Sequence, residues 1–214
     1  MGQVVSVNVG QVLDMPWAKA KEIGRTAIDK RPVATRVAVR RLGVDGDEQA
    51  DKDNHGGPEQ AVYAYAREDL DWWAERLGDG ELRNGIFGEN LTVRGVDVNA
   101  ALLDECWRVG DALLQVTGPR VPCGTFRAWM DRPGWVKRFT EAERTGAYLR
   151  VLEEGEVGPG DPIVIEHRPE RGVTVTESFR AYHGDQELMR RILAIPGHSA
   201  SWDEAAERVL RGSA

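Results

Sequence analysis

Cys123 is the side chain best suited to chemistry in this sequence. It sits in Pro119-Arg-Val-Pro-Cys-Gly-Thr-Phe-Arg-Ala-Trp-Met130, just after the alternating run Ala112–Thr117, which predicts a strand. Pro119 and Pro122 end the sheet ladder and stiffen the loop that presents the thiol. Arg120 and Arg127 stand close in sequence, and positive charge favours the thiolate, the form that attacks electrophiles or binds metal. A buried structural cysteine fits this stretch equally well. Cys106, inside Glu-Cys-Trp-Arg-Val on a strand pattern, is structural by default.

Other residues with chemical potential lie upstream. In His55-Gly56-Gly57-Pro58 the glycines permit unusual backbone angles. Successive N–H groups there can form an anion-binding concavity beside an imidazole; the alternative is an exposed turn. Lys30, before Pro32, closes a basic stretch (Lys19, Lys21, Arg25, Lys30, Arg31) and is either an anion anchor or a solvated surface lysine. Gly43–Gln60 is rich in Asp and Glu, among them Asp47. It lacks the alternating acids and terminal Glu of a calcium loop, and no second histidine stands at i+4 for zinc. Asn90 either points an amide at a ligand or satisfies turn backbone.

These residues need a frame. Gln3–Val9, Thr35–Arg40, Ala61–Tyr65, Ala112–Thr117 and Tyr148–Leu152 read as strands. Gly110-Asp111 and Gly160-Asp161 each precede an apolar strand. Short strands between Gly/Asp turns, with few helices, predict a barrel or folded sheet rather than alternating β-α units. The spacing predicts one clear helix over Arg67–Leu77: Leu70, Trp73 and Leu77 share a face, acids fill its first turn and Gly78 ends it. Trp72 and Trp73 read as packing. From Arg168 the pattern turns helical. Thr174-x-x-Glu177 and Ser201-x-x-Glu204 fit capping boxes, followed by apolar stripes at Leu188, Met189, Ile192 and Leu193 and at Trp202, Ala206, Val209 and Leu210. Too short to stand alone, these three helices are expected to dock on the sheet. The expected division is 1–167 for the β-rich part and 168–214 for the helical module.

Composition sets outer limits. The 214 residues carry a net charge of −7 with a pI near 5.2, which argues against a general nucleic-acid or anionic-membrane binder. No run reaches the roughly 18 apolar residues needed to span a bilayer. Two distant cysteines make no disulfide framework, so a reducing cytoplasm is the expected setting. Met1-Gly2 to Ser6 matches the loose N-myristoylation pattern, but the same residues open an alternating strand, which is the preferred reading.

Taken together the motifs resemble the MOSC domain proteins, and within them the YiiM-like branch. The shared pattern runs Thr26-Ala-Ile-x-Lys-x-Pro-Val33, Gly46-Asp-Glu-Gln-Ala-Asp51, His55-Gly-Gly-Pro58, Phe87-Gly-Glu-Asn-Leu91, Gly110-Asp111, Pro119-Arg-x-Pro-Cys123 and Arg144-Thr-Gly-x-Tyr-Leu-Arg-Val-Leu-Glu153. The resemblance covers nearly the whole chain. It implies a mainly β fold, a MOSC-type β-barrel with a few peripheral helices and a C-terminal three-helix module. It also implies a molybdenum cofactor (molybdopterin), with Cys123 as the protein's ligand to the metal, and pyridoxal phosphate binding as a family-level term. A soft thiolate suits a metal already held by a dithiolene. Lys30, His55, Gly56, Gly57, Asn90 and Arg120 are the expected cofactor-binding residues, and Asp47 or His55 would move protons or orient the cofactor loop.

Relatives of this kind reduce N-hydroxylated compounds of the hydroxylaminopurine and amidoxime type, so that toxic base analogues are removed. With no Rossmann fingerprint, iron–sulfur cysteine cluster or haem motif in the chain, electrons would come from a separate protein; a homodimer is compatible with this reading. Rival readings are a sulfur carrier with a persulfide on Cys123, a cofactor storage protein, and a metal-free thiol enzyme with His55 as base.

Overall fold

The computed structural model describes residues 2–15, 24–50 and 56–211. His55, Lys19 and Lys21 therefore lie outside the described residues. The first half runs β1 (Gly2–Val9), β2 (Leu13–Asp14), β3 (Arg25–Thr26), β4 (Arg31–Val33), β5 (Val37–Arg40), β6 (Gly43–Val44), a 3-10 turn (Pro58–Gln60), β7 (Val62–Ala66) and helix α1 (Arg67–Leu77). It continues with β8 (Leu91–Arg94), β9 (Cys106–Val109), β10 (Ala112–Pro119), α2 (Gly124–Met130), α3 (Trp135–Ala142), β11 (Ala147–Glu153), β12 (Gly155–Val157) and β13 (Pro162–His167). The chain then turns to α4 (Val175–Tyr182), α5 (Gln186–Leu193) and α6 (Ala200–Arg211).

Seven strands close into a barrel in the order β13-β9-β10-β11-β7-β8-β1, with β1 returning to β13 through Gly2 opposite Ile163. Closure leaves no unpaired edge within the ring. The strands are mainly β-branched or small at inward positions, and Val4, Val62, Leu91, Trp107, Leu114 and Leu149 are all buried. Among the described strands only β7 and β8 run parallel, with α1 as the crossover between them. Outside the ring β4 pairs with β1, and β12, β5 and β6 form a small separate sheet. Arg36 ties the two Gly-Asp turns together: its guanidinium reaches Asp161 at 2.5 Å and Asp111 at 2.8 Å.

Helix α1 has the bounds its pattern predicts. Leu70 and Trp73 are buried, and Gly78 ends the helix in the left-handed region at φ 70°. Trp73 is core, while Trp72 carries Arg76 and Arg144 against its ring at 3.7 and 4.6 Å. Helices α2 and α3 are absent from the sequence-based expectation. Each is a seven- or eight-residue element, too short for a helical period to show against flanking Gly and Pro. They bring Phe126, Trp135 and Phe139 onto Trp73 and Phe87, with Phe126 edge-on to Phe87 at 5.3 Å and to Phe139 at 5.1 Å.

In the C-terminal segment Thr174 and Glu177 make both halves of a capping box, and Asp185 caps α5. The second expected box is displaced. Ser201 lies inside α6, and it is the Ser199 hydroxyl that accepts from the Ser201 N–H at 3.3 Å. The helices dock as expected: α4 packs on β10, and the buried Trp202 donates its indole N–H to the Thr117 carbonyl at 3.2 Å. No helix among the described residues is long and apolar enough to cross a membrane.

Candidate functional site

One chamber beside the barrel gathers most of the residues singled out by sequence. Lys30, Asp47, Gly56, Asn90, Arg120 and Cys123 all line it. They come from the segment before β4, the turn after β6, the loop before β7, the approach to β8 and the end of β10. Gly57 is not among them; it borders an adjoining hollow with Leu42 and Gly43, which shares Asp47, Glu48 and Gln49 with the chamber.

Cys123 is half-buried and is the N-cap of α2, where its Sγ accepts from the Phe126 N–H at 3.5 Å. Strand β10 extends through Pro119, which still pairs with Ala147, so Pro119 ends the ladder from within it. Arg120 is buried. Its Nη1 donates to the Phe87 carbonyl at 2.7 Å, and its guanidinium lies against Phe126 at 4.1 Å and Tyr63 at 5.3 Å. Burial opposes the Arg120 charge, but its neighbours Tyr148, Tyr63 and Cys123 pull the other way and leave its pKa above the ordinary value.

The Phe87 carbonyl is itself held in place by Glu89, which is fully buried and accepts from the Gly85 N–H at 2.5 Å, the Phe87 N–H at 3.0 Å and the Thr92 hydroxyl at 2.9 Å. This explains the Phe-Gly-Glu-Asn motif: the carboxylate tightens a loop whose carbonyl catches Arg120. Gly85 is required there. Its φ is +78°, and a Cβ would stand 2.4 Å from the Lys30 carbonyl.

Lys30 and Asp47, both nearly inaccessible, face each other with Nζ 2.5 Å from the carboxylate oxygens. Asp47 also accepts from the Asn90 amide at 2.9 Å and the Gly10 N–H at 2.7 Å. Burial lowers the Lys30 pKa, against the opposing pull of Asp47. Asn90 is spent on protein partners, since its Oδ1 accepts from the Tyr63 N–H at 3.1 Å. Gly56 donates to Gln60 Oε1 at 3.3 Å, so its N–H does not stand open as half of an anion concavity. At φ +114° a Cβ on Gly56 would strike the Gln49 side chain at 2.2 Å, so glycine serves close packing there.

Sequence reading missed Tyr63 and Tyr148, which line the chamber beside Arg120 with ring centroids 5.2 Å apart. Their strand pattern signals packing only; a ring that also lines a chamber leaves no trace in periodicity, and the Tyr63 hydroxyl is spent on the Thr145 carbonyl at 2.7 Å. Burial raises the pKa of Tyr63, Tyr65 and Tyr148. The native state therefore holds more protons than the unfolded chain above pH ~10, and stability present below that pH is lost as pH rises further. In a spectrophotometric titration these three tyrosines should ionise only together with loss of near-UV circular dichroism. Their smooth ionisation around pH ~10 in folded protein would contradict this.

The chamber holds about 130 Å³, below the roughly 300 Å³ of enclosed drug-sized sites. It is sized for an anionic group rather than for surrounding a whole pterin. The donor set nevertheless fits such a cofactor: a half-buried thiol, three cations (Arg25, Lys30 and Arg120), and a buried Arg120 Nε with no hydrogen-bond partner among the described residues. Soft sulfur suits molybdenum, and the cations suit a phosphate.

The MOSC domain profile matches residues 51–164. Protein YflK of Bacillus subtilis, itself uncharacterized, is 37% identical over 202 residues, covering 93% of this chain and 90% of its own. A Gibberella moniliformis protein named "Reductase" is 32% identical over 190 residues, 86% of this chain but 34% of its own length. The crystal structure of YiiM from Geobacillus stearothermophilus superimposes with a TM-score of 0.80 at 31% identity, covering 98% of this chain and all of that one. MOSC domains are generally associated with molybdenum cofactor binding; pyridoxal phosphate appears in none of these descriptions. With the profile laid over more than half its length and homologues aligned nearly end to end, the chain belongs to the MOSC domain family.

Proposed function

We propose that this protein is a molybdenum-cofactor-dependent reductase of N-hydroxylated compounds, supplied with electrons by a separate redox protein. The observation that carries the reading is the chamber itself, which the Cys123 thiol lines together with Lys30 and Arg120. The family's association with the cofactor and the name of the fungal relative support it. When bound, the cofactor supplies a two-electron reduction in which the substrate N–O bond, two electrons and two protons yield an amine or amidine and water.

The chain's own residues do the rest. Cys123 ligates the metal. Lys30 and Arg120 pair with the anionic end of the pterin, the orphaned Arg120 Nε being the donor left over for it. Asp47 is a positioning residue: its oxygens already accept from Lys30, Asn90 and Gly10, so proton delivery is assigned instead to His55, which adjoins the chamber-lining Gly56 in sequence. Tyr148 and Tyr63 stay protonated and shield the guanidinium from water.

The test is molybdenum content in protein purified from a host that makes the cofactor, paired with benzamidoxime reduction driven by a chemical reductant. Stoichiometric metal with turnover is expected. Metal-free protein from a host that loads a control enzyme would overturn the reading in favour of sulfur carriage, and metal without turnover in favour of storage.

A further inference from the structure

A second cavity, of about 330 Å³, lies between the end of β10 and the C-terminal helices. It shares Gln60, Cys123 and Tyr148 with the first chamber, so the thiol stands in the wall between two compartments. Their linings differ in kind. The first carries Arg25, Lys30 and Arg120 against Asp47 and Glu48, an excess of one cation with Lys30 paired to Asp47, whereas no described residue lining the second is cationic. Pro119, Pro122, Tyr148, Tyr182 and Trp202 make the second cavity apolar and aromatic. Among the described residues that line it Glu59 alone is charged, and its Oε2 pairs with Arg150 at 3.0 Å.

We propose that this second cavity is the substrate subsite, and that it selects flat, neutral compounds with an N–H edge. The occupant's identity rests on the reductase reading above. Apolar walls with a few placed polar groups are what a planar heteroaromatic needs. The Glu59 carboxylate accepts from the N–H edge of an amidine or aminopurine, which places the N–O group on the side of Cys123. An anionic cofactor and a neutral substrate are thereby sorted by charge into adjacent rooms that meet at the metal ligand. The C-terminal helices then have a function beyond burying surface: Tyr182 of α4 and Ser201, Trp202 and Ala205 of α6 build the wall facing the thiol.

The experiment uses Ser201→Phe, because Ser201 is exposed and borders the cavity, so a phenyl group fills it without disturbing the core. In cofactor-free protein labelled with 15N-tryptophan, benzamidoxime should shift the Trp202 indole N–H resonance, identified by its loss in Trp202→Phe. In Ser201→Phe that titration should weaken at least about tenfold, a change of ~1.4 kcal/mol. In loaded protein the KM for benzamidoxime should rise by a similar factor, with molybdenum content and Tm unchanged. Reduction by wild type with no Trp202 shift, and an unaltered KM in Ser201→Phe, would overturn the subsite and leave the reductase standing. A Trp202 shift in protein that carries metal but never turns over would overturn the reductase and leave the cavity as a binding site. Neither binding nor turnover would overturn both.

Discussion

Cys123→Ser should abolish molybdenum retention and lower benzamidoxime reduction by more than ~100-fold, beyond the roughly 10–100-fold that a metal site loses with a group that merely hydrogen-bonds one of its ligands. Serine keeps the shape and can still accept from the Phe126 N–H, so the N-cap of α2 and the fold should survive. What is lost is the soft, ionisable sulfur that suits this metal. Cys106→Ser is the matched control. Cys106 is buried on β9 near Asp104, and burial together with that acid pushes its thiol pKa up, so it stays protonated and inert. Metal analysis and activity of the two purified variants, with Tm to verify folding, decide the matter. Retained molybdenum in Cys123→Ser would sink the ligand assignment, and equal loss in both variants would show that the effect is structural.

Asp47→Ala should be the most destabilising single change at the site, by about 3–5 kcal/mol, the typical cost of leaving a buried charge without its partner. Asp47 faces the Lys30 ammonium with almost no solvent on either group, and two further donors, Asn90 and Gly10, lose their acceptor at once. In urea, with a slope of roughly 2 kcal/mol per molar, the midpoint should fall by about 1.5–2.5 M. Lys30→Met in the same background should restore part of the loss, because the orphaned charge goes with it. A shift below ~0.5 M in Asp47→Ala would mean that water reaches Lys30 and that the pair is not a buried one. The partial rescue also separates roles: a double variant that regains stability but not cofactor would leave Lys30 as the anion anchor.

The local elements were legible because they are set by short-range energies. The apolar spacing of Leu70, Trp73 and Leu77 with Gly78 behind them is enough for α1, and Thr174 with Glu177 is enough to start α4. Where the same logic misplaced a cap, at Ser201, a competing hydroxyl two residues earlier took the role. Helices α2 and α3 escaped because they are held by aromatic packing onto Trp73 and Phe87, contacts that a seven-residue window does not contain.

The candidate site divides the same way. By itself the sequence determined which residues have usable chemistry: a thiol on a proline-stiffened loop, a lysine before a proline, a histidine beside two glycines, and the family to which their order points. Tertiary structure decided what each of them does. Lys30 and Asp47 are partners only because β1 and the turn after β6 meet at Gly10. Arg120 is aimed only because Glu89 fixes the Phe87 carbonyl. Cys123 faces two compartments only because Trp202 docks 85 residues away on Thr117. Spacing along a chain encodes the energies of neighbours, whereas pairing across a closed barrel depends on register and burial, which exist only once the ring has shut.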